Sequence, residues 1–325
     1  MNYKNSKKMK SLKYIIAASL ALAACQEKSI QPDYVNNEPK TEVAKTLIEK
    51  TDMIAALYSD SETVITDGLT MTALSYLGMD GCPMRIWFLK ADLTKPNLCL
   101  DQVYAGDVFQ SAGSTLTEMA KKEDRANHFV WAATNSDFFG TDIQKNPQGI
   151  FHHEGKCLKS IFNVVSADTP RCFFYMTPDK KIRMADKADY KEVVSEHPDI
   201  VEAGSGGPFL IIDGVAQNIP VQKDGLSNRH PRTCMGVEKN GTTVWMMVAD
   251  GRRYTWSNGL YFGDMCKIMS AVGCHNMMNL DGGGSSEMIV RASKDQNEYN
   301  MINWPSDNGG QERTIYTGIL FVTKK

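Results

Sequence analysis

The chain has 325 residues, 42% of them apolar, and a formal net charge of −2. Acidic and basic residues are mixed along its length, so no basic face for nucleic acid is indicated. The size allows one large domain or two smaller ones, and the 18 methionines read as core filler.

Lys4, Lys7, Lys8, Lys10 and Lys13 precede a short apolar stretch, Tyr14 to Ala24. That stretch is too short to span a bilayer and suits the hydrophobic region of a secretory signal. It ends in Leu22-Ala23-Ala24-Cys25, which resembles a bacterial lipobox, so residues 1–24 are expected to be cleaved and Cys25 to carry lipid. The expected address is the cell envelope outside the cytoplasm, with an anchor in a membrane, the outer membrane being the first expectation. Residues 25–40, polar and carrying Pro32 and Pro39, read as a linker. Seven further cysteines form no C-x-x-C pair, and most are expected to be small buried apolar residues.

From Thr41 to Tyr58 the spacing of Val43, Leu47, Ile48, Ile54 and Leu57 predicts an amphipathic helix. Strand-like runs follow at Arg85–Leu89 and Asn97–Tyr104. Thr115 and Glu118 are spaced as a capping box that opens a helix near Ser114. Later strands are predicted at His128–Ala133, Cys172–Thr177, Pro208–Ile212, Thr243–Ala249, Asn276–Leu280, Glu287–Arg291 and Thr314–Thr323. A helix is predicted between Leu260 and Val272, with Gly273 placed to cap it. Strands outnumber helices without alternating regularly with them, which predicts an α+β fold of mixed, mostly antiparallel sheets with a few packed helices.

Asn279-Leu280-Asp281-Gly282-Gly283-Gly284-Ser285-Ser286 is the most informative stretch: an apolar strand delivers an acid to three glycines and two hydroxyls. Successive glycines can point several backbone N–H groups into one concavity, which favours an anion. A tight connection needs only two glycines. His230-Pro231-Arg232-Thr233 offers a guanidinium fork suited to phosphate or carboxylate, although alone it reads equally well as a structural ion pair. Gly204-Ser205-Gly206-Gly207-Pro208 reads as a flexible turn that lacks the lysine of a P-loop. Asp250-Gly251-Arg252 alone reads as a turn with an ion pair. Asn135 to Gly140 follows a strand, where polar side chains commonly face a pocket. No G-x-S-x-G, H-E-x-x-H or EF-hand spacing is present.

In order along the chain, Asn135-x-x-Phe138-Phe139, Ser205-Gly206, His230-Pro231-Arg232-Thr233, Asp250-Gly251-Arg252, Asn279 through Ser285 and Asn303-x-Pro305-Ser306-Asp307 resemble the phosphodiester glycosidase family. The resemblance covers Arg85 to the C-terminus. Residues 85–325 are therefore expected to form the phosphodiester glycosidase domain and residues 41–84 an N-terminal helical or accessory segment. It implies hydrolysis of a sugar-1-phosphodiester, such as an N-acetylglucosamine-1-phosphodiester, at the anomeric carbon. The products would be free sugar and a phosphomonoester. Carried over by position, it implies catalytic roles for Asp281, Arg232 and Asp250. It implies substrate binding by Asn135, Ser205, Gly206, Thr233, Gly282, Gly283, Gly284 and Ser285. No cofactor is implied, and a divalent metal is left open. The expected partners are a phosphodiester-linked glycan and a membrane, with no nucleic acid. The chain departs from the family at Gly207-Pro208 and at Ser136-Asp137, which puts the particular sugar in doubt. Two other readings stay open: a phosphodiesterase attacking phosphorus, and a non-catalytic glycan-binding lipoprotein.

Overall fold

The computed structural model describes residues 35–140, 146–163, 170–219, 228–307 and 309–324. The expected signal segment, Cys25 and most of the expected linker lie outside the described residues. Helix α1 (Glu42–Lys50) precedes strands β1 (Ile54–Thr66), β2 (Leu69–Gly78), β3 (Pro83–Asp92) and β4 (Leu98–Tyr104), helix α2 (Leu116–Glu123) and β5 (His128–Asn135). Next come β6 (Phe151–His153), β7 (Lys156–Lys159), β8 (Cys172–Met176) and β9 (Ile182–Asp186). Helix α3 (Tyr190–Glu196), β10 (Glu202–Gly206), β11 (Phe209–Ile212) and β12 (Val215–Ala216) follow. The last third holds β13 (Arg232–Val237), β14 (Thr243–Ala249), helix α4 (Phe262–Ala271), β15 (Asn276–Asn279), β16 (Met288–Ser293), β17 (Gln296–Met301) and β18 (Thr317–Lys324).

These strands make three sheets. One has eight strands in the order β1-β2-β3-β14-β13-β15-β11-β12. Two have five, ordered β7-β6-β10-β8-β9 and β17-β16-β5-β18-β4. Every pairing among the described strands is antiparallel. The α+β expectation agrees with this architecture, although sheet dominates it.

The large sheet is covered on both faces, and β14 shows how the sequence achieves it. Side chains alternate across a strand. Trp245, Met247 and Ala249 enter a core shared with Leu47 of α1 and Ile268 of α4. Val244, Met246 and Val248 enter a second core with Leu100, Phe174 and Phe321 of the other sheets. A strand buried on both faces has no polar side, so its sequence is one unbroken apolar run. Two smaller cores hold α2 and α3 against the five-stranded sheets.

Several local signals act as the sequence predicts. Thr115 and Glu118 close a reciprocal capping box on α2. Gly273 adopts a positive φ of 101° after α4. Of the seven described cysteines, all free thiols, Cys172, Cys234, Cys266 and Cys274 are buried. Two expectations change. The helix expected from Thr41 to Tyr58 stops at Lys50, with the Thr51 N–H bonded to Leu47 O, and Ile54 and Leu57 lie in β1. Helical spacing continues by coincidence there, and pairing of β1 with β2 overrides it. The hairpin so formed pairs with β3 and extends the large sheet. The turn expected at Gly204–Pro208 is strand β10 as far as Gly206, held between β6 and β8. Side-chain size, not flexibility, explains those small residues.

Candidate active site

The expected site residues meet where the three sheets converge. The strands β5, β10 and β15 end there and β13 begins there. The register of β13 against β15 sets Cys234 opposite Asn279, and Leu280 N–H donates to Thr233 O at 2.9 Å. The chain then leaves the sheet at Asp281, whose N–H donates to Ser136 O at 2.9 Å. Asn135 locks this arrangement. Its amide donates to Asp281 O at 2.7 Å, and its carbonyl oxygen accepts from the Thr233 hydroxyl at 2.7 Å and from Glu287 N–H at 3.2 Å. Asn135 is buried with three sequence-distant bonds, so its side chain positions the Asp281 turn. Thr233 and Ser205 likewise point inward; the Ser205 hydroxyl donates to Ile150 O at 3.2 Å. Past Gly206, Gly207 N–H donates to Asn279 O at 2.7 Å, which ties this segment to the strand that delivers Asp281.

Asp281 as a residue keeps part of its surface exposed, but its carboxyl is enclosed by protein and pushed up to about 7. Loss of hydration is the main cause, with the Asp137 charge adding to it. The Ser285 hydroxyl, Arg313 and the Gly282 N–H, which donates to Oδ1 at 2.9 Å, oppose the rise. After Asp281 the glycines form a single 3₁₀ turn, Gly283–Ser285. Gly283 takes a φ of 62°, which a side chain would strain. A Cβ on Gly284 would overlap the Asp307 carboxyl, so any side chain there would displace that carboxyl from the turn.

Cations crowd this turn. Arg252 Nη1 lies 3.6 Å from Asp307 Oδ1, and Arg313 Nη1 lies 3.3 Å from Asp307 Oδ2. Arg232 is buried, with Nε donating to Leu260 O at 3.2 Å and Nη2 to Asn228 O at 2.5 Å, and its guanidinium lies 4.2 Å from the Phe262 ring centroid. Burial pulls its pKa down to about 10, with Arg252 as a second cause. Asp250 is buried and accepts from Trp256 Nε1 at 2.7 Å, Asn303 Nδ2 at 3.0 Å and Trp304 N–H at 2.9 Å. Burial raises its pKa against those bonds. Three donors on one carboxylate make Asp250 a brace between two loops. Among the described residues, no group of three or more His, Cys, Asp or Glu side chains is placed to hold a metal ion.

Further residues join the site with no motif in the sequence to mark them. Glu287 is fully buried, and neither carboxyl oxygen has a hydrogen-bond partner among the described residues. Burial drives its pKa well up, with Glu312 and Asp281 adding and Arg313 opposing. It follows the serines of the glycine motif directly, but it reads as the start of an apolar strand. Asp137 accepts from Gly149 N–H at 2.7 Å and makes a buried ion pair with Arg171. Lys159 joins this cluster, its pKa lowered to about 8 by burial, with Arg171 lowering it further and Asp137 opposing. Arg171 and Arg313 stand in stretches with no local signal.

A profile of the phosphodiester glycosidase family matches residues 128–322. The SPbeta prophage-derived uncharacterized protein YomE of Bacillus subtilis (strain 168) is 40% identical over 65 residues, which are 20% of this chain and 10% of that protein. The chain therefore corresponds to a small part of that relative. Among solved structures, the zebrafish N-acetylglucosamine-1-phosphodiester alpha-N-acetylglucosaminidase catalytic domain, auto-inhibited by its pro-peptide, aligns with a TM-score of 0.59. The identity is 14%, over 90% of this chain and 87% of that one. A hypothetical protein from Synechocystis aligns at 0.56 with 12% identity, over 82% of this chain and 64% of that one. At such identities the two structures share the fold with this chain. The family profile spans more than half of the sequence and takes in the glycine turn with most of the residues around it, and the chain belongs to the phosphodiester glycosidase family.

Proposed function

We propose that the protein hydrolyses a sugar-1-phosphodiester at the anomeric carbon, and that it does so outside the cytoplasm, held to a membrane through lipid on Cys25. The observation that carries the chemistry is Asp281, a carboxyl of pKa about 7 at the edge of a glycine turn ringed by arginines. A carboxyl poised near neutrality serves as a base for water. In the proposed step a water oxygen bonds to the anomeric carbon and its proton passes to Asp281. The bond from that carbon to the phosphate oxygen breaks, and its electron pair leaves with the phosphomonoester. An ordinary glycosidase needs an acid for its alkoxide leaving group. A phosphate monoester has a second pKa of about 6 and needs charge stabilisation more than a proton. Arg232, Arg252 and Arg313, with the amide of Gly284, are suited to supply it.

Hydrolysis of an N-acetylglucosamine-1-phosphodiester in ¹⁸O-water tests the reading. The expected label is in the sugar. Label in the phosphate would mean attack at phosphorus, and no turnover across a panel of sugar-1-phosphodiesters would favour a glycan-binding role. Asp281→Asn is expected to lower kcat by about 100-fold or more with binding retained; near-normal turnover would remove Asp281 from the chemistry.

A further inference from the structure

A cavity of about 200 Å³ opens between the β2–β3 hairpin and α4. The hairpin supplies Tyr76, Met79 and Asp80, α4 supplies Asp264 and Lys267, and Arg229 reaches in from the segment before β13. The hairpin precedes residue 128, where the family profile begins, so half of this cavity is built by residues outside the matched domain. Ion pairs cross it. Arg229 pairs with Asp80, and its Nη2 lies 3.9 Å from Asp264 Oδ2. Lys267 Nζ lies 2.7 Å from Asp52 Oδ1. Such pairs by themselves would only staple the hairpin to α4.

A staple does not account for the polar groups left over. Tyr76 is 1% exposed, and its hydroxyl has no hydrogen-bond partner among the described residues. Burial raises its pKa, with Asp264 and Asp80 adding and Arg229 opposing, which sets the hydroxyl among those three charges. Arg229 Nε–H is buried and likewise has no partner among the described residues. Asp264 accepts the Tyr261 N–H at 3.1 Å and has acceptor capacity to spare. Burial raises its pKa against that bond and against Arg229 and Lys267. Buried polar groups are normally paired, so these three call for a common partner. It must accept from Arg229 and donate to Asp264. A cationic amine offers Arg229 nothing, and a phosphate would meet two carboxylates. A hydroxyl both donates and accepts, so a polyol satisfies all three. Met53, Met79 and Met84 add apolar, adaptable walls. The volume falls below the roughly 300–1,000 Å³ of pockets for drug-sized ligands, which limits the occupant to a single ring.

We propose that this cavity binds one neutral sugar ring, whose hydroxyls bridge Arg229 Nε, the Tyr76 hydroxyl and the Asp264 carboxylate while the methionines pack against its C–H face. The cavity shares no lining residue with the Asp281 turn, and the proposal does not depend on the hydrolytic reading. It gives the hairpin that precedes the matched domain a role in binding as well as in packing.

Calorimetric titration and thermal melts with D-glucose, D-galactose and N-acetylglucosamine test it, with spermidine and inorganic phosphate as the competing chemistries. Two variants locate the binding. Tyr76→Phe removes only the hydroxyl. Met79→Trp, at a position 67% exposed, puts a large ring into the cavity wall. At least one sugar is expected to bind the unaltered protein one to one and to raise its melting temperature. Tyr76→Phe should weaken that binding about tenfold, as for loss of one neutral hydrogen bond, and Met79→Trp should abolish it. Without sugar, Tyr76→Phe is expected to melt no lower than the parent, because the hydroxyl has no protein partner to lose. A lower melting temperature would mean that the hydroxyl is already paired, and would overturn the site. No sugar binding at tens of millimolar, sugar binding indifferent to both variants, or binding of spermidine or phosphate alone would also overturn it. Tyr76→Phe decides the matter by itself if Met79→Trp fails to fold.

Discussion

Asp281 and Glu287 are six positions apart, and burial acts on both in the same direction with different consequences. Asp281 keeps part of its surface exposed and has a pKa near 7, whereas Glu287 is sealed in without a hydrogen-bond partner among the described residues. As a base Asp281 must be ionised, so falling pH switches it off. Log kcat/KM is expected to bend near pH 7 and to fall by about one unit per pH unit below that. A pH–rate profile checks this, and activity that rises as pH falls would reassign Asp281 as an acid. For Glu287 the folded pKa lies above the unfolded one. Between the two the folded state binds more protons, so its contribution to stability is full below about pH 4.5 and is lost as pH rises toward the folded value. Glu287→Gln keeps the shape and removes the ionisation. It is expected to stabilise the protein at pH 7 by about 1–3 kcal/mol, with the gain shrinking toward pH 4. Thermal melts across that range measure it, and a destabilised variant would show that the charge has a partner.

At the scale of elements, the loop after β5 is held by the Asp137–Arg171 pair, which joins it to the approach to β8. Removing one member leaves a buried charge alone. Arg171→Met is expected to cost about 3–5 kcal/mol, and adding Asp137→Asn should recover part of that loss. Urea denaturation of the two variants checks it; equal stability of the single variant and the parent would mean that the pair is solvated. Local chemistry explains which elements were legible. The capping box of α2, the glycine after α4 and the apolar run of β14 state their structure within a few residues. The boundary between α1 and β1 does not, because apolar spacing suits either conformation and the partner strand β2 decides. Strand β10, with Gly-Ser-Gly in it, carries no strand propensity of its own and exists because β6 and β8 flank it.

For the whole molecule, no described helix is long and apolar enough to cross a membrane, and attachment rests on the proposal at Cys25. The mature protein is expected to begin at Cys25 with a mass increased by acyl chains. Cys25→Ser should move it from the detergent phase to the aqueous phase; an unacylated mature chain beginning elsewhere would remove the anchor. The sequence by itself determined the strand-rich composition, the glycine turn with its aspartate, and the ordered motifs that resemble the family. Those depend on neighbours along the chain. It could not determine that Asn135 grips a turn 146 residues away, that Asp250 braces Trp304 across 54 residues, or that Arg313 and Glu287 share the surroundings of Asp281. Those contacts follow from the register of three sheets. Burial and charge at a site come from whatever distant side chains that register brings there, and so only the tertiary structure could turn an ordinary aspartate into one with a pKa near 7.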